Sequence, residues 1–118
     1  MSPQNKCYLN FKNYDNFEEP GRLSVTTVKK AYSFSPVADD FSEEDKTYVL
    51  GGECNLWTED LPASRVAEYM MFPRLCALSE SFWLDNSKKD FERFKLALEN
   101  HKKRLSFFDV LYYNGKVE

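Results

Sequence analysis

Trp57 and Glu59 sit two positions apart in the run Gly51-Gly52-Glu53-Cys54-Asn55-Leu56-Trp57-Thr58-Glu59. Residues two apart on an extended chain share a face. Gly51, Glu53 and Asn55 join them on that face, while Leu50, Gly52, Cys54 and Leu56 lie on the other. One face therefore carries an indole and polar groups, and the other is small and apolar. The same period puts Tyr8 with Asn10 on one side of a short upstream segment, and Cys7 with Leu9 on the other. Hydrogen bonding and ring stacking are the chemistry open to such faces. On periodicity alone Tyr8 and Trp57 read as ordinary core aromatics. Among its neighbouring carboxylates, Glu43-Glu44-Asp45 lies in a connecting segment and Glu59-Asp60 runs in the order Glu-Asp. The single histidine, His101, lies far along the chain on a charged helix, so no metal site is expected, and nothing calls for a cofactor.

The elements that must position these residues follow from period and punctuation. A strand is expected at about 6–10, where Cys7-Tyr8-Leu9 has apolar and β-forming residues. Phe11–Gly21, rich in Asn, Asp, Pro and Gly, reads as loop. A short helix is expected at about 25–32, with Ser24 available as its N-cap and Pro36 stopping any continuation. An acidic connection follows, with one helical turn starting at Ser42, and then a second strand at about 47–57. A strand, a crossover containing helix and a second strand make a parallel pair. After Leu61-Pro62 the period becomes helical. A long helix at about 64–83 is apolar nearly all round and so must be buried on several sides. Pro73 should kink it. Arg74 and Glu80 are charges in apolar company and need partners, read as structural ion pairs. A second helix at about 88–108 is amphipathic, with Phe91, Phe94, Leu98, Leu105 and Phe108 in one stripe. Ser87 and Asp90 resemble a capping box at its start. A strand with a polar, aromatic C-terminal end followed by an apolar helix is a βα unit, and in closed α/β barrels such strand ends feed the active-site mouth.

Composition narrows the function further. With 118 residues the chain is at most one domain, large enough for one modest core. A hydrophobic fraction of 42% and an aromatic fraction of 16% argue for a folded chain. A net charge of −3, with lysines and arginines scattered, makes no electrostatic case for nucleic acid. No segment approaches the ~20 consecutive apolar residues that a membrane span requires. The first ten residues, MSPQNKCYLN, lack the charged region and apolar core of a secretory signal. Cys7, Cys54 and Cys76 are too few and too unevenly spaced for a disulfide framework.

GGECNLWTE followed by EYMMFPRLCALSESFW closely resembles the last βα unit of the catalytic barrel of family 20 glycoside hydrolases, the β-N-acetylhexosaminidases. Cys7-Tyr8-Leu9-Asn10 is similar to that family's preceding strand, which ends in Tyr-Leu-Asp or Tyr-Leu-Asn, and VTTVKKAYSFSPV to its linking segment. The likeness runs from about Lys6 to about Tyr113. It implies an α/β fold: a partial (β/α)8 TIM barrel, with the last two strands, a long kinked helix and a C-terminal amphipathic helix. It also implies that Tyr8 matches the tyrosine whose hydroxyl donates to the substrate's acetamide oxygen. Trp57 matches the tryptophan that walls the terminal sugar's pocket, Glu59 the carboxylate that accepts from sugar hydroxyls, and Asn10 a neighbouring hydrogen-bonding position. Asn10 is an amide where many relatives have Asp. Phe11, Tyr14 and Phe17 either line a sugar site or anchor their loop.

The family's general acid belongs to a His-x-Gly-Gly-Asp-Glu motif on an earlier strand, and no Asp-Glu dipeptide of that kind occurs here. The expectation is therefore a C-terminal fragment of a β-N-acetylhexosaminidase that supplies part of the −1 sugar subsite and is inactive alone. Its partners would be the terminal N-acetylhexosamine of a glycan and either the missing N-terminal part of the barrel or a second copy of itself. The alternative is a non-catalytic carbohydrate-binding or structural interaction module. The parent family is commonly periplasmic, secreted or lysosomal, an address written outside this chain.

Overall fold

A computed structural model describes residues 1–118, the side chain of Leu23 excepted. In chain order the elements are α1 (Gln4–Cys7), β1 (Phe11–Lys12), β2 (Arg22–Val25), α2 (Val28–Tyr32), α3 (Glu43–Thr47), α4 (Ser64–Met71), α5 (Arg74–Trp83) and α6 (Phe91–Phe107), with a 3₁₀ turn at Asn86–Lys88 before α6. Helix α5 is the centre of the molecule. Its Ala77 and Leu78 pack with Cys7, Leu9, Val28, Ala31, Tyr32 and Phe34 on one side and with Phe94 and Leu98 of α6 on the other. Each large apolar side chain so buried contributes about 1.5–3 kcal/mol.

The two strands expected at about 6–10 and 47–57 contract to one parallel bridge, Tyr8 to Asn55. Leu9 N donates to Asn55 O at 2.7 Å, and Asn55 N donates to Cys7 O at 3.0 Å. Upstream, Lys6 and Cys7 donate instead to Pro3 O, which closes the turn of α1. The second segment enters directly from α3, and Glu53 N finds only Met1 O. A strand extends only as far as a neighbour pairs its backbone groups. The side-chain alternation survives without the ladder: Cys7 and Leu9 are buried under α2 and α5, and Cys54 and Leu56 pack against that core.

The regular parallel pair is elsewhere. β1 runs beside β2, with Phe11 opposite Arg22 and Lys12 opposite Val25 and an irregularity between them. The loop expected over 11–21 is therefore confined to 13–21, and the helix expected over 25–32 to Val28–Tyr32. Gly21 makes the pairing possible. Its φ is +112°, and a Cβ there would stand 2.8 Å from Asn10 O and 2.6 Å from Met70 Cε. Only a residue without a side chain lets the backbone come this close. With Arg22–Val25 committed to the strand, α2 starts three residues later than expected. Its cap is Thr27, whose side chain accepts from Lys30 N, and not Ser24. The turn read at Ser42 is α3, held by a complete capping box between Ser42 and Asp45.

The long helix expected at about 64–83 is two helices. Phe72 is extended (φ −98°, ψ 137°) and Pro73, which has no N–H, stands before α5. Likewise the helix expected at about 88–108 begins later. Asp90 is its cap, accepting from Arg93 N, while Ser87 lies in the 3₁₀ turn. Phe94, Leu98 and Leu105 of the stripe are buried, and Phe108 is exposed at the end. The two charges of the apolar helix are satisfied differently. Glu80 takes an ion pair from Arg93 (2.8 Å) and a hydrogen bond from Tyr32 Oη (3.2 Å). Arg74 is bound by backbone carbonyls. Among the described residues no helix is long and apolar enough to cross a membrane.

Candidate functional site

Tyr8, Asn10, Trp57 and Glu59 line one cleft of about 560 Å³, together with Gln4, Asn5, Phe11, Arg22 and Ser24. The bridge between Tyr8 and Asn55 sets this arrangement. It registers the two segments so that Tyr8 and Asn10 rise on one wall, and Trp57 and Glu59 continue from Asn55 along the other. The Tyr8 and Trp57 rings lie 6.2 Å apart at 55°, and Tyr8 and Phe11 6.1 Å apart at 56°. Aromatic pairs at such separations attract by edge and face. Trp57 is half exposed.

Asn10 is 3% exposed, and its Oδ1 is shielded from solvent with no hydrogen-bond partner. A buried acceptor left unpaired costs about 1–3 kcal/mol. Its backbone is fixed, because Arg22 N donates to Asn10 O at 2.8 Å.

Glu59 and Arg22 form an ion pair of 2.6 Å across the cleft's rim, and Asp60 stands 3.6 Å from Arg22 Nε. Both side chains of the closer pair are substantially exposed, which keeps its contribution to stability below about 1 kcal/mol. Its consequence is directional: the guanidinium holds one Glu59 oxygen and leaves the other free to accept. Arg22, Gln4, Asn5 and Ser24 are cleft residues that sequence reasoning missed. The visible signal was Gly21 directly before Arg22, but its meaning depends on Asn10 lying across from it.

Beneath the cleft, burial, reinforced by nearby Cys54, pushes the Cys7 thiol up to about 12, and burial raises Cys54 as well. Both are neutral packing groups at ordinary pH and offer no nucleophile. Among the described residues no cluster of three His, Cys, Asp or Glu side chains is placed to hold a metal ion. A larger groove of about 840 Å³ runs between α5 and α6, lined by residues that include Trp83, Arg93, His101 and Arg104. It holds none of the four residues singled out by the sequence.

Comparison with known proteins points the same way. Residues 1–86 match the family model described as glycosyl hydrolase family 20, catalytic domain. A β-hexosaminidase of Porphyromonas gingivalis is 32% identical over 107 residues, which cover 90% of this chain and 14% of that protein. A β-hexosaminidase of Akkermansia muciniphila is 28% identical over 102 residues, covering 86% of this chain and 20% of that protein. In three dimensions the chain is similar to the exo-β-N-acetylglucosaminidase of Vibrio harveyi, solved in complex with N-acetylglucosamine. The TM-score is 0.89 at 27% identity, over 96% of this chain and 18% of that one. The chain thus spans about a seventh to a fifth of the curated relatives it matches.

Proposed function

The chain belongs to glycosyl hydrolase family 20, as a partial (β/α)8 barrel, and on that premise we propose that it supplies part of the −1 sugar subsite of a β-N-acetylhexosaminidase. The observation that carries this reading is the convergence of Tyr8, Asn10, Trp57 and Glu59 on a single cleft from segments some fifty residues apart in sequence.

In the reaction, the substrate's own acetamide oxygen attacks the anomeric carbon as the glycosidic bond breaks, giving an oxazolinium-like intermediate that water then opens with retention. Tyr8 Oη donates to the acetamide oxygen and steadies it in line for attack, an oriented donor aimed at developing charge. Trp57 covers the apolar face of the terminal sugar. Glu59, with one oxygen held by Arg22, accepts from sugar hydroxyls with the other. Asn10 holds a neighbouring hydrogen-bonding position. Protonation of the leaving oxygen needs an Asp-Glu pair of the family's kind, which this sequence does not hold. The chain by itself is therefore inactive, and the rest of a barrel completes the site.

The exposed apolar side chains support that need for a partner. Leu50 is fully exposed, and Trp83, Phe107 and Phe108 are nearly so. Such surface is covered by the remaining barrel or by self-association. Hydrolysis of a chromogenic N-acetylglucosaminide by the chain, alone and mixed with the missing N-terminal portion, tests the reading. Activity only in the mixture is expected. Activity of the chain alone would overturn the assignment of roles, and a stable monomer with cooperative unfolding would overturn the need for a partner.

A further inference from the structure

Arg74 is the largest side chain with no exposure at all, and it is the start of α5, the central helix. A buried guanidinium ordinarily sits against a carboxylate. Here each of its five N–H donors goes to a backbone carbonyl. Nη1 donates to Phe11 O (2.7 Å) and Thr26 O (3.1 Å), Nη2 to Leu9 O (2.6 Å) and Met70 O, and Nε to Met70 O (3.1 Å). Burial pulls its pKa down to about 10, with Glu19 opposing, so the side chain remains a cation at neutral pH.

The identity of those carbonyls matters more than their number. Leu9 and Phe11 flank Asn10, whose own carbonyl turns the opposite way to meet Arg22 N. Thr26 follows β2, the strand that carries Arg22 and Ser24 of the cleft. The guanidinium therefore ties the wall bearing Tyr8 and Asn10 to the strand bearing Arg22, from beneath and without touching the cleft. Neither hydrophobic packing nor a lysine can reproduce this. Packing is not directional, and an ammonium offers three donors from a single point where the guanidinium offers a planar fork of five.

We propose that Arg74 is a positioning residue for the sugar cleft, setting the orientation of Tyr8 and Asn10 by clamping the carbonyls of Leu9 and Phe11. The sugar-binding part of this statement rests on the family reading above; the clamp does not.

The experiment compares Arg74→Lys and Arg74→Met in the full chain with Leu98→Ala, a core substitution on α6 that destabilises while leaving every hydrogen bond to residues 7–12 in place. Two readouts are taken by NMR below the unfolding transition of each variant. One is the geometry of the wall: the Asn10 side-chain amide signals and the Tyr8–Trp57 ring contacts. The other is the shift of those signals on titration with N-acetylglucosamine. Arg74→Lys and Arg74→Met are expected to displace the Asn10 signals, weaken the Tyr8–Trp57 contacts and lower sugar affinity by about tenfold, the loss of roughly one good hydrogen bond. Leu98→Ala should leave the wall signals in place and affinity unchanged in the folded fraction. If Arg74→Met does not fold, Arg74→Lys decides. Unmoved wall signals in the folded Arg74 variants, or the same displacement in Leu98→Ala, would overturn the proposal. Displaced wall signals in a chain that never responds to the sugar would uphold the clamp and remove the sugar reading instead.

Discussion

The two walls of the cleft are made in different ways. Cys7–Lys12 is bound on three sides: Leu9 and Cys7 pair with Asn55, Asn10 and Lys12 pair with the strand Arg22–Val25 and the residue after it, and Arg74 holds Leu9 and Phe11 from below. Tyr48–Asp60 is held by backbone bonds at Asn55 and Glu53, by the packing of Cys54 and Leu56 and by exposed ion pairs from Arg22 to Glu59 and Asp60, while Leu50 stands wholly in solvent. Both carry cleft residues, but the first shares more of its backbone groups with the rest of this chain. A segment holds its shape in proportion to the backbone groups and apolar area it shares with neighbours. The second wall is therefore where the rest of a barrel has most to contribute.

The sharpest way to break this contrast is to make one substitution on both sides of it. Leu78→Ala, in the core under the first wall, should cost about 2–5 kcal/mol, a large part of the stability of so small a domain. Leu50→Ala should change stability by less than about 0.5 kcal/mol. Denaturant unfolding of the two variants measures the difference, and equal effects would show that the open segment is as well packed as the core.

Alkaline pH should act through the first wall. The folded pKa of Cys7 is raised from 9.0 to about 12, chiefly by burial and then by Cys54, and that of Cys76 to about 11 by burial. A thiol that ionises more readily in the unfolded chain favours unfolding once pH passes its unfolded value. Stability should thus be unaffected by these groups below pH 9 and fall between about 9 and 12. Cys7→Ala should flatten that decline. A thiol-specific reagent at neutral pH should leave Cys7 unmodified until the chain is unfolded. An unchanged slope in Cys7→Ala would remove Cys7 from the account.

Helix caps give a smaller version of the same comparison. Thr27→Ala removes the cap of α2, whose Val28, Ala31 and Tyr32 are in the core, and should cost about 1 kcal/mol of global stability. Ser42→Ala breaks the capping box of α3, which buries no residue, and should fray that helix with little change in the global transition. Circular dichroism and unfolding midpoints separate the two. Glu59→Gln also acts at the surface. Its ion pair with Arg22 is exposed, so stability should shift by less than about 1 kcal/mol, while any binding of N-acetylglucosamine should weaken more than stability does.

Much of this arrangement is written in local pattern. The capping box at Ser42 needs only a serine and an aspartate three residues apart. The inward facing of Cys7 and Leu9, and the grouping of Tyr8 with Asn10 and of Trp57 with Glu59, follow from the period of an extended chain, which holds whether or not a ladder forms. The apolar residues of α5 and α6 announce buried helices in the same way. The family itself was legible in GGECNLWTE and EYMMFPRLCALSESFW, because those residues are close together in sequence.

What tertiary structure decided were the matters that depend on a distant partner. Strand length is set by neighbours, so two expected strands became one bridge between Tyr8 and Asn55, and a pair formed instead at Phe11–Lys12 and Arg22–Val25, where composition spoke for a loop and a helix start. Asp90 rather than Ser87 caps α6, a choice among adjacent candidates that only the path of the chain settles. Arg74 shows the limit most clearly. Its sequence context demands that a buried charge be satisfied, but whether by a carboxylate or by the carbonyls of Leu9, Phe11, Thr26 and Met70 depends on which backbone the folded chain brings within reach. Periodicity fixes which way a side chain faces; only the packed chain fixes what it meets there.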